Sequence, residues 1–359
     1  MVPRLPAWET ISRYGAQIDA NRWYSNFGPL VCEFERRLAE CFGGEVGTVL
    51  TCANATLGIT LTLQESRTNG STACLLPSWT FVATAHAVSA AGLRPVFADV
   101  DPIDGQLTPS LAEQVIQQLP DIGAVIVVGP FGMGVDVDDW LRFRSRSGVP
   151  VIIDAAAGFD TAKLSQIPTV VSLHATKALG CGEGGFVMST DKDLISRIMG
   201  RSNFGFVSRR EAVLIGTNAK MSEYHAAVGL SALDEWPKTR ATLMEIANNY
   251  RKRLSAYQWA SFQRGWGQDW ISTTCNLSIE CGFESARFDA AMSKAGIDTR
   301  RWWGDGCHTQ TAFADCCHFA LPVTADLASR TMGLPFSKDL TPLQIDRIVS
   351  ALESTLALA

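Results

Sequence analysis

One lysine, set among hydroxyls and glycines, is the residue of this chain best placed for covalent chemistry. Val170-Val171-Ser172-Leu173-His174-Ala175-Thr176-Lys177 begins β-branched and apolar. Ala178-Leu179-Gly180-Cys181-Gly182-Glu183-Gly184-Gly185 then leads into Phe186-Val187-Met188, so the pattern predicts strand, loop, strand. A lysine between two buried strands is desolvated, which lowers its pKa and makes it an amine nucleophile able to form a Schiff base with a carbonyl. Ser172, His174 and Thr176 are short donors of the kind that grip a phosphate, and the glycines let backbone approach a ligand closely. The ordinary alternative is a surface lysine on a Gly-rich hairpin. The rest of the chain decides between the two.

The elements that must position this lysine alternate. Gly47 to Leu50 reads as a strand, and Cys52-Ala53-Asn54-Ala55-Thr56 leads into an apolar helix whose start leaves free N–H groups for an anion. Strands are predicted at Ala73–Leu76, Arg94–Val100, Ala124–Val128 and Val151–Asp154, with helices at Val82–Ala91 and Ser110–Leu119. Such alternation implies an α/β fold with a mostly parallel sheet between helices, and ligands in such sheets sit beyond the carboxyl ends of the strands. Asn54, Phe81 and Asp154 all lie at such ends. Further on, a helix at Leu194–Met199 precedes a long Ala-rich helix toward Trp236. Pro237 marks the start of a linking helix into a second domain, and Thr273–Ile279 and Ile297–Trp303 read as strands. The expected division is a large domain, 1–236, with an N-terminal arm, and a smaller α+β domain, 237–359. Thr341-Pro342-Leu343-Gln344 is a capping-box start for the last helix.

Composition narrows the class. The 359 residues are 47% hydrophobic and 19% charged, ordinary for a globular enzyme, and the net charge of -5 with scattered basic residues provides no footprint for nucleic acid. No apolar run approaches the ~20 residues that span a bilayer and no basic-then-apolar leader opens the chain, so the expected location is cytoplasmic, without membrane contact. The 10 cysteines are spread through apolar segments and read as reduced thiols. Cys316-Cys317-His318 lacks a second cysteine pair at zinc spacing, so no metal is expected.

A cofactor that needs an aldehyde-reactive lysine, a phosphate anchor and a protonated aromatic nitrogen is pyridoxal 5'-phosphate. Lys177 is the candidate Schiff-base residue, and Asp154 is the carboxylate that keeps the pyridinium charged. Phe81, in preference to Trp79, is the stacking ring; backbone at Ala55 and Thr56 with the Ser172 hydroxyl would hold the phosphate.

Six segments in order carry a resemblance: Ser25-Asn26-Phe27-Gly28-Pro29, Pro77-Ser78-Trp79-Thr80-Phe81-Val82-Ala83-Thr84, Pro95-Val96-Phe97-Ala98-Asp99-Val100-Asp101, Asp154-Ala155-Ala156, Ser172-Leu173-His174-Ala175-Thr176-Lys177 and Gly216-Thr217-Asn218-Ala219-Lys220-Met221-Ser222-Glu223. Together they strongly resemble the DegT/StrS-type sugar aminotransferases from about Asn21 to near the end of the chain. The resemblance implies the fold-type I architecture of pyridoxal-phosphate transferases, with a seven-stranded-type sheet, and a homodimer whose active sites lie at the subunit interface. It also implies transfer of an amino group from glutamate to a nucleotide-diphosphate keto sugar, a dTDP-4-keto-6-deoxyhexose first and a 3-keto sugar next, for amino-sugar or O-antigen-type glycan synthesis.

Carried onto this sequence, the resemblance makes Lys177 the catalytic lysine, Asp154 the ring-nitrogen partner, Ser172 a phosphate ligand, and Asn218 a residue reaching the neighbouring subunit's cofactor phosphate. Arg301, Trp303 and His308 fall where relatives contact the sugar nucleotide. One departure stands out: the family's usual glutamine three residues after the aspartate is Ala157 here. Relatives with histidine in place of the lysine are dehydratases, and Lys177 argues against that activity. Two rivals remain. A dinucleotide-binding reading of Gly180–Gly185 fails because a strand follows rather than a helix, while a regulatory homologue that keeps the cofactor without turnover stays open.

Overall fold

The computed structural model describes residues 3–207, 209–280 and 285–356. In chain order the elements are α1 (Trp8–Asn21), α2 (Pro29–Cys41), β1 (Val49–Cys52), α3 (Ala55–Ser66), β2 (Ala73–Pro77), α4 (Val82–Ala90), β3 (Arg94–Ala98), α5 (Pro109–Gln118), β4 (Ile122–Val128), α6 (Val137–Ser147), β5 (Val151–Asp154), β6 (Thr169–Ser172), β7 (Gly185–Met188), α7 (Lys192–Ser202), α8 (Glu223–Leu254), β8 (Ala260–Phe262), β9 (Cys275–Ile279), α9 (Ser285–Lys294), β10 (Cys317–His318), α10 (Pro322–Arg330), β11 (Thr331–Leu334) and α11 (Pro342–Leu356). Local chemistry accounts for many of the ends. Asn54, Thr108, Asp136, Asp191 and Ser222 each cap a helix by accepting a backbone N–H in its first turn. The capping box at the last helix also forms, with Thr341 N–H donating to Gln344 Oε1 at 2.9 Å and Gln344 N–H to Thr341 Oγ1 at 3.3 Å.

The main sheet runs β1-β7-β6-β5-β4-β2-β3-β10. β7 pairs antiparallel with both neighbours, and the other pairings are parallel. The expected seven strands are therefore present with an eighth, the two-residue β10, added beside β3. Side chains alternate between the two faces as the pleat demands. Leu75, Val125, Val127, Val151 and Ile153 pack with α2, α5, α6 and the start of α8, whereas Cys74, Leu76, Ile126 and Ile152 pack with α3, α4 and α7. A second sheet, β11-β9-β8, builds a separate core with the end of α8, α9 and α11.

Two expectations are corrected here. Pro237 does not begin a new helix: α8 runs through it for 32 residues. A proline inside a helix removes one backbone bond. The flanking turns are nonetheless anchored in different cores, Ala226 to Leu233 against the main sheet and Leu243 to Leu254 against the second. The expected boundary at 236/237 thus falls within one continuous helix, and part of 237–359 returns to the main sheet, where β10 pairs with β3 and Cys307 and Phe313 pack beside α4. Nor is Ile297–Trp303 a strand. Its one bridge, Arg300 to Gly333, is followed by a turn in which Gly304 and Gly306 take φ of 54° and 98°.

The N-terminus of α2 rests on a buried carboxylate. Glu223, 1% exposed, accepts Leu30 N–H at 2.9 Å and Val31 N–H at 2.8 Å. Glu223→Ala leaves both amides buried without an acceptor and is expected to destabilise the fold by about 2–4 kcal/mol, with Glu223→Gln retaining much of the stability. Urea melts read this as a lowered midpoint, and an Ala variant melting with the wild type would remove the cap from the account.

Candidate active site

Beyond the carboxyl ends of the parallel strands lies a cavity of about 610 Å³. Lys177, Asp154, Phe81, Ala55, Thr56, Ser172 and Trp303 all line it, so most of the residues expected from sequence converge. Asp154 is the last residue of β5 and Ser172 the last of β6, neighbouring parallel strands that deliver the two side chains to the same edge. Lys177 follows in the turn after β6, where its N–H donates to His174 O at 2.8 Å.

Asp154 is 4% exposed. Its Oδ1 accepts Ala156 N–H at 3.0 Å and its Oδ2 accepts the Thr84 hydroxyl at 2.8 Å. Burial pushes the carboxyl above its ordinary value, opposed by those two donors and the Lys177 charge. Lys177 borders the cavity, so the whole side chain keeps some exposure, but protein surrounds its amine. Desolvation pulls that amine below the ordinary lysine value, and the charge of Asp154 only partly offsets this. A cation brought to Asp154 from the cavity would hold the carboxyl ionised.

The floor opposite is an anion cradle. Ala55 and Thr56 open α3, where their N–H groups have no acceptor within the helix, and Asn54 Oδ1 takes Leu57 N–H at 2.9 Å. Gly185 permits this helix start to sit against β7: a Cβ there would lie 2.6 Å from Ala55 N. Ser172 Oγ accepts His174 N–H at 3.3 Å, which leaves its hydroxyl proton to donate into the cavity. Phe81, at the N-cap of α4, is 56% exposed and offers a ring face; Trp79 is 5% exposed and packs into the wall.

That wall is aromatic. Trp303 stacks on Phe131 with centroids 3.9 Å apart at 14°, and the edge of Trp79 meets Trp303 at 5.0 Å. Phe131 holds a left-handed φ of 55° to do so. Ala157 lines the cavity and supplies no side-chain donor there.

Three expected residues do not face this cavity. Arg301 bonds to Asp305 and to Ala328 O, while Arg300 and Trp302 line the cavity in its place. His308 Nδ1 instead meets Ser78 Oγ at 2.7 Å, holding the loop that precedes Phe81. Asn218 is exposed and bridges Asn203. Irregular backbone explains the shift from 301 to 300: without a strand, face alternation does not apply.

Sequence reasoning missed further residues. Pro3 to Pro6 cross the cavity mouth, with Leu5 against Gly180 and Arg4 paired to Asp339, and Lys338 borders the same opening. Thr80 and Thr84 also line the cavity, and their spacing of four at a helix start was the available signal. Among the described residues there is no cluster of three or more metal-ligating side chains and no helix long and apolar enough to cross a membrane.

Comparison with known proteins bears on this geometry. Protein Rv3402c of Mycobacterium tuberculosis is 30% identical over 370 residues, covering 98% of this chain and 88% of that protein. The UDP-2-acetamido-2-deoxy-3-oxo-D-glucuronate aminotransferase of Pseudomonas aeruginosa is 30% identical over 338 residues, covering 90% of each. The solved structure of DesI in the presence of its TDP-sugar product superposes with a TM-score of 0.88 at 29% identity, covering 98% of this chain and 91% of that one. A model of the DegT/DnrJ/EryC1/StrS aminotransferase family matches residues 8–353, and the chain belongs to that family.

Proposed function

We propose that this protein is a pyridoxal-phosphate-dependent aminotransferase that moves an amino group from glutamate to a keto sugar carried on a nucleoside diphosphate, with a dTDP-4-keto-6-deoxyhexose as the first candidate. The observation that carries this is the placing of a desolvated lysine amine, a buried carboxylate and an open helix N-terminus around one cavity. Pyridoxal phosphate is the cofactor of the family, and the residues fit it: an amine for its aldehyde, a carboxylate for its ring nitrogen, free N–H groups and a hydroxyl for its phosphate, and an exposed aromatic face for its ring. When bound, the cofactor supplies a carbonyl that receives the amino group and a cationic ring that draws electrons from the carbon losing its proton.

The chain's own residues do the rest. Lys177 Nζ takes the proton from the α-carbon of the amino donor and, in the second half-reaction, delivers a proton to the sugar carbon that becomes aminated. Asp154 holds the proton on the ring nitrogen by its charge. Ala55 N–H, Thr56 N–H and Ser172 Oγ orient the phosphate, and Phe81 covers the ring. The aromatic wall of Phe131 and Trp303 excludes water from the sugar side, and Arg300 at the cavity edge offsets phosphate charge. We place Asn218 at a second subunit's cofactor phosphate, as its exposure on this chain permits, which makes the working unit a homodimer with shared sites. The expected working location is the cytoplasm.

The P. aeruginosa relative acts, by its name, on a 3-oxo sugar, which favours a UDP-linked 3-keto sugar as the second reading. The test loads the protein with pyridoxal phosphate, adds glutamate, and follows visible absorbance before and after a dTDP-4-keto-6-deoxyhexose or a UDP-3-keto sugar. Glutamate is expected to bleach the absorbance and one keto sugar to restore it, with the aminated sugar identified by mass. Absorbance that glutamate leaves untouched would point to another donor or a regulatory role.

A further inference from the structure

The carboxylate of Asp154 ends a chain of side-chain hydroxyls. Thr80 Oγ1 and Thr84 Oγ1 are 2.8 Å apart, and Thr84 Oγ1 is 2.8 Å from Asp154 Oδ2. All three residues are nearly closed to solvent, at 2%, 1% and 4% exposure, and they come from the β2–α4 loop, the first turn of α4 and the end of β5. A hydroxyl has one proton to give. If Thr84 donates to Asp154, it must accept from Thr80, and both links are then short. Run the other way, from a protonated Asp154 through Thr84, the last donor would be Thr80, whose other acceptor within the protein is Phe81 O at 3.5 Å, too long to be a good bond, so its proton would have to turn into the cavity it lines. The geometry therefore favours the direction that ends on an anion. Ala156 N–H, which can only donate, takes the other oxygen and fixes the plane of the carboxylate.

We propose that Thr80 and Thr84 form a one-way donor chain that orients Asp154 and keeps it anionic for a protonated ring nitrogen, with Thr84 a positioning residue of the reaction. This rests on the reading of Asp154 as the ring-nitrogen partner. Hydrogen bonds to a charged acceptor are stronger than neutral ones, and a donor chain polarises along its length, so two threonines act on one carboxylate. Thr84→Val keeps the shape of the side chain and removes the donor; Thr84→Ser keeps the donor; Thr80→Val removes only the first link.

The experiment measures equilibrium binding of pyridoxal phosphate and the wavelength of its bound visible band in wild type, these three variants and Asp154→Asn. Thr84→Val is expected to bind about tenfold more weakly with a shifted band, Thr84→Ser to match wild type, and Thr80→Val to lose severalfold. Should Thr84→Val fail to fold, Thr80→Val against Thr84→Ser decides by the same readouts. Wild-type affinity and band in Thr84→Val, or in Thr80→Val where it stands in, with both altered in Asp154→Asn, would overturn the donor chain and leave the aspartate's role in place. No change in Asp154→Asn would overturn the reading of the aspartate itself, and the chain's purpose with it.

Discussion

Lys177→Ala is expected to lower amino transfer by on the order of 10⁴-fold and to abolish the visible absorbance that depends on the lysine. The size follows from the number of duties the proposed function puts on one atom: Lys177 Nζ would engage the cofactor and move the proton in both half-reactions, and the other lysine lining the cavity, Lys338, borders its opening. Lys177→Arg should fail equally, since a guanidinium stays protonated and is a poor nucleophile. Cofactor capture also reports the state of this amine. Burial lowers its pKa, so the neutral, reactive form is present at a lower pH than for an ordinary lysine. Capture should rise with pH and level off below the ordinary lysine range. A plateau only at the value of a hydrated lysine would mean that the amine is not desolvated, and near-normal turnover in Lys177→Ala would remove it from catalysis.

Asp154→Ala is expected to cost about 10²–10³-fold in kcat with weakened cofactor retention, whereas Asp154→Glu should recover part of both. Removing the carboxylate strands the Thr84 hydroxyl and Ala156 N–H, which now converge on it, and on the proposed function it would leave the ring nitrogen without its counter-charge. Steady-state kinetics with a keto sugar separates this from a binding defect: loss in kcat at saturating donor is the signature of lost electron withdrawal, and a change confined to KM would assign Asp154 to binding alone.

The strand-end residues were readable because a short apolar run followed by a polar residue already says where a parallel strand stops. Val151-Ile152-Ile153 ends in Asp154 and Thr169-Val170-Val171 in Ser172, and adjacent parallel strands carry such ends to one edge. The small-residue start of α3 was readable for the same reason: a capped helix exposes its first N–H groups wherever it sits. Arg301 and His308 were not. Their segment has no regular repeat, so one residue's difference in register, from 301 to 300, is set by the Arg300–Gly333 bridge and the turn that follows, and His308 is claimed by Ser78, 230 residues away.

Pro237 illustrates the opposite case. Local rules favour a break at a proline, yet α8 continues because both of its halves are buried in separate cores, and that packing outweighs one missing backbone bond. By itself, then, the sequence determined the alternation of elements, the polar groups at the strand ends and the lysine proposed to react, since these depend on neighbours along the chain. Only the tertiary structure decided the links between distant segments: Thr84 to Asp154, Ser78 to His308, Arg4 to Asp339. Such contacts arise where packing brings far-apart residues within hydrogen-bond reach, and no local spacing encodes that distance.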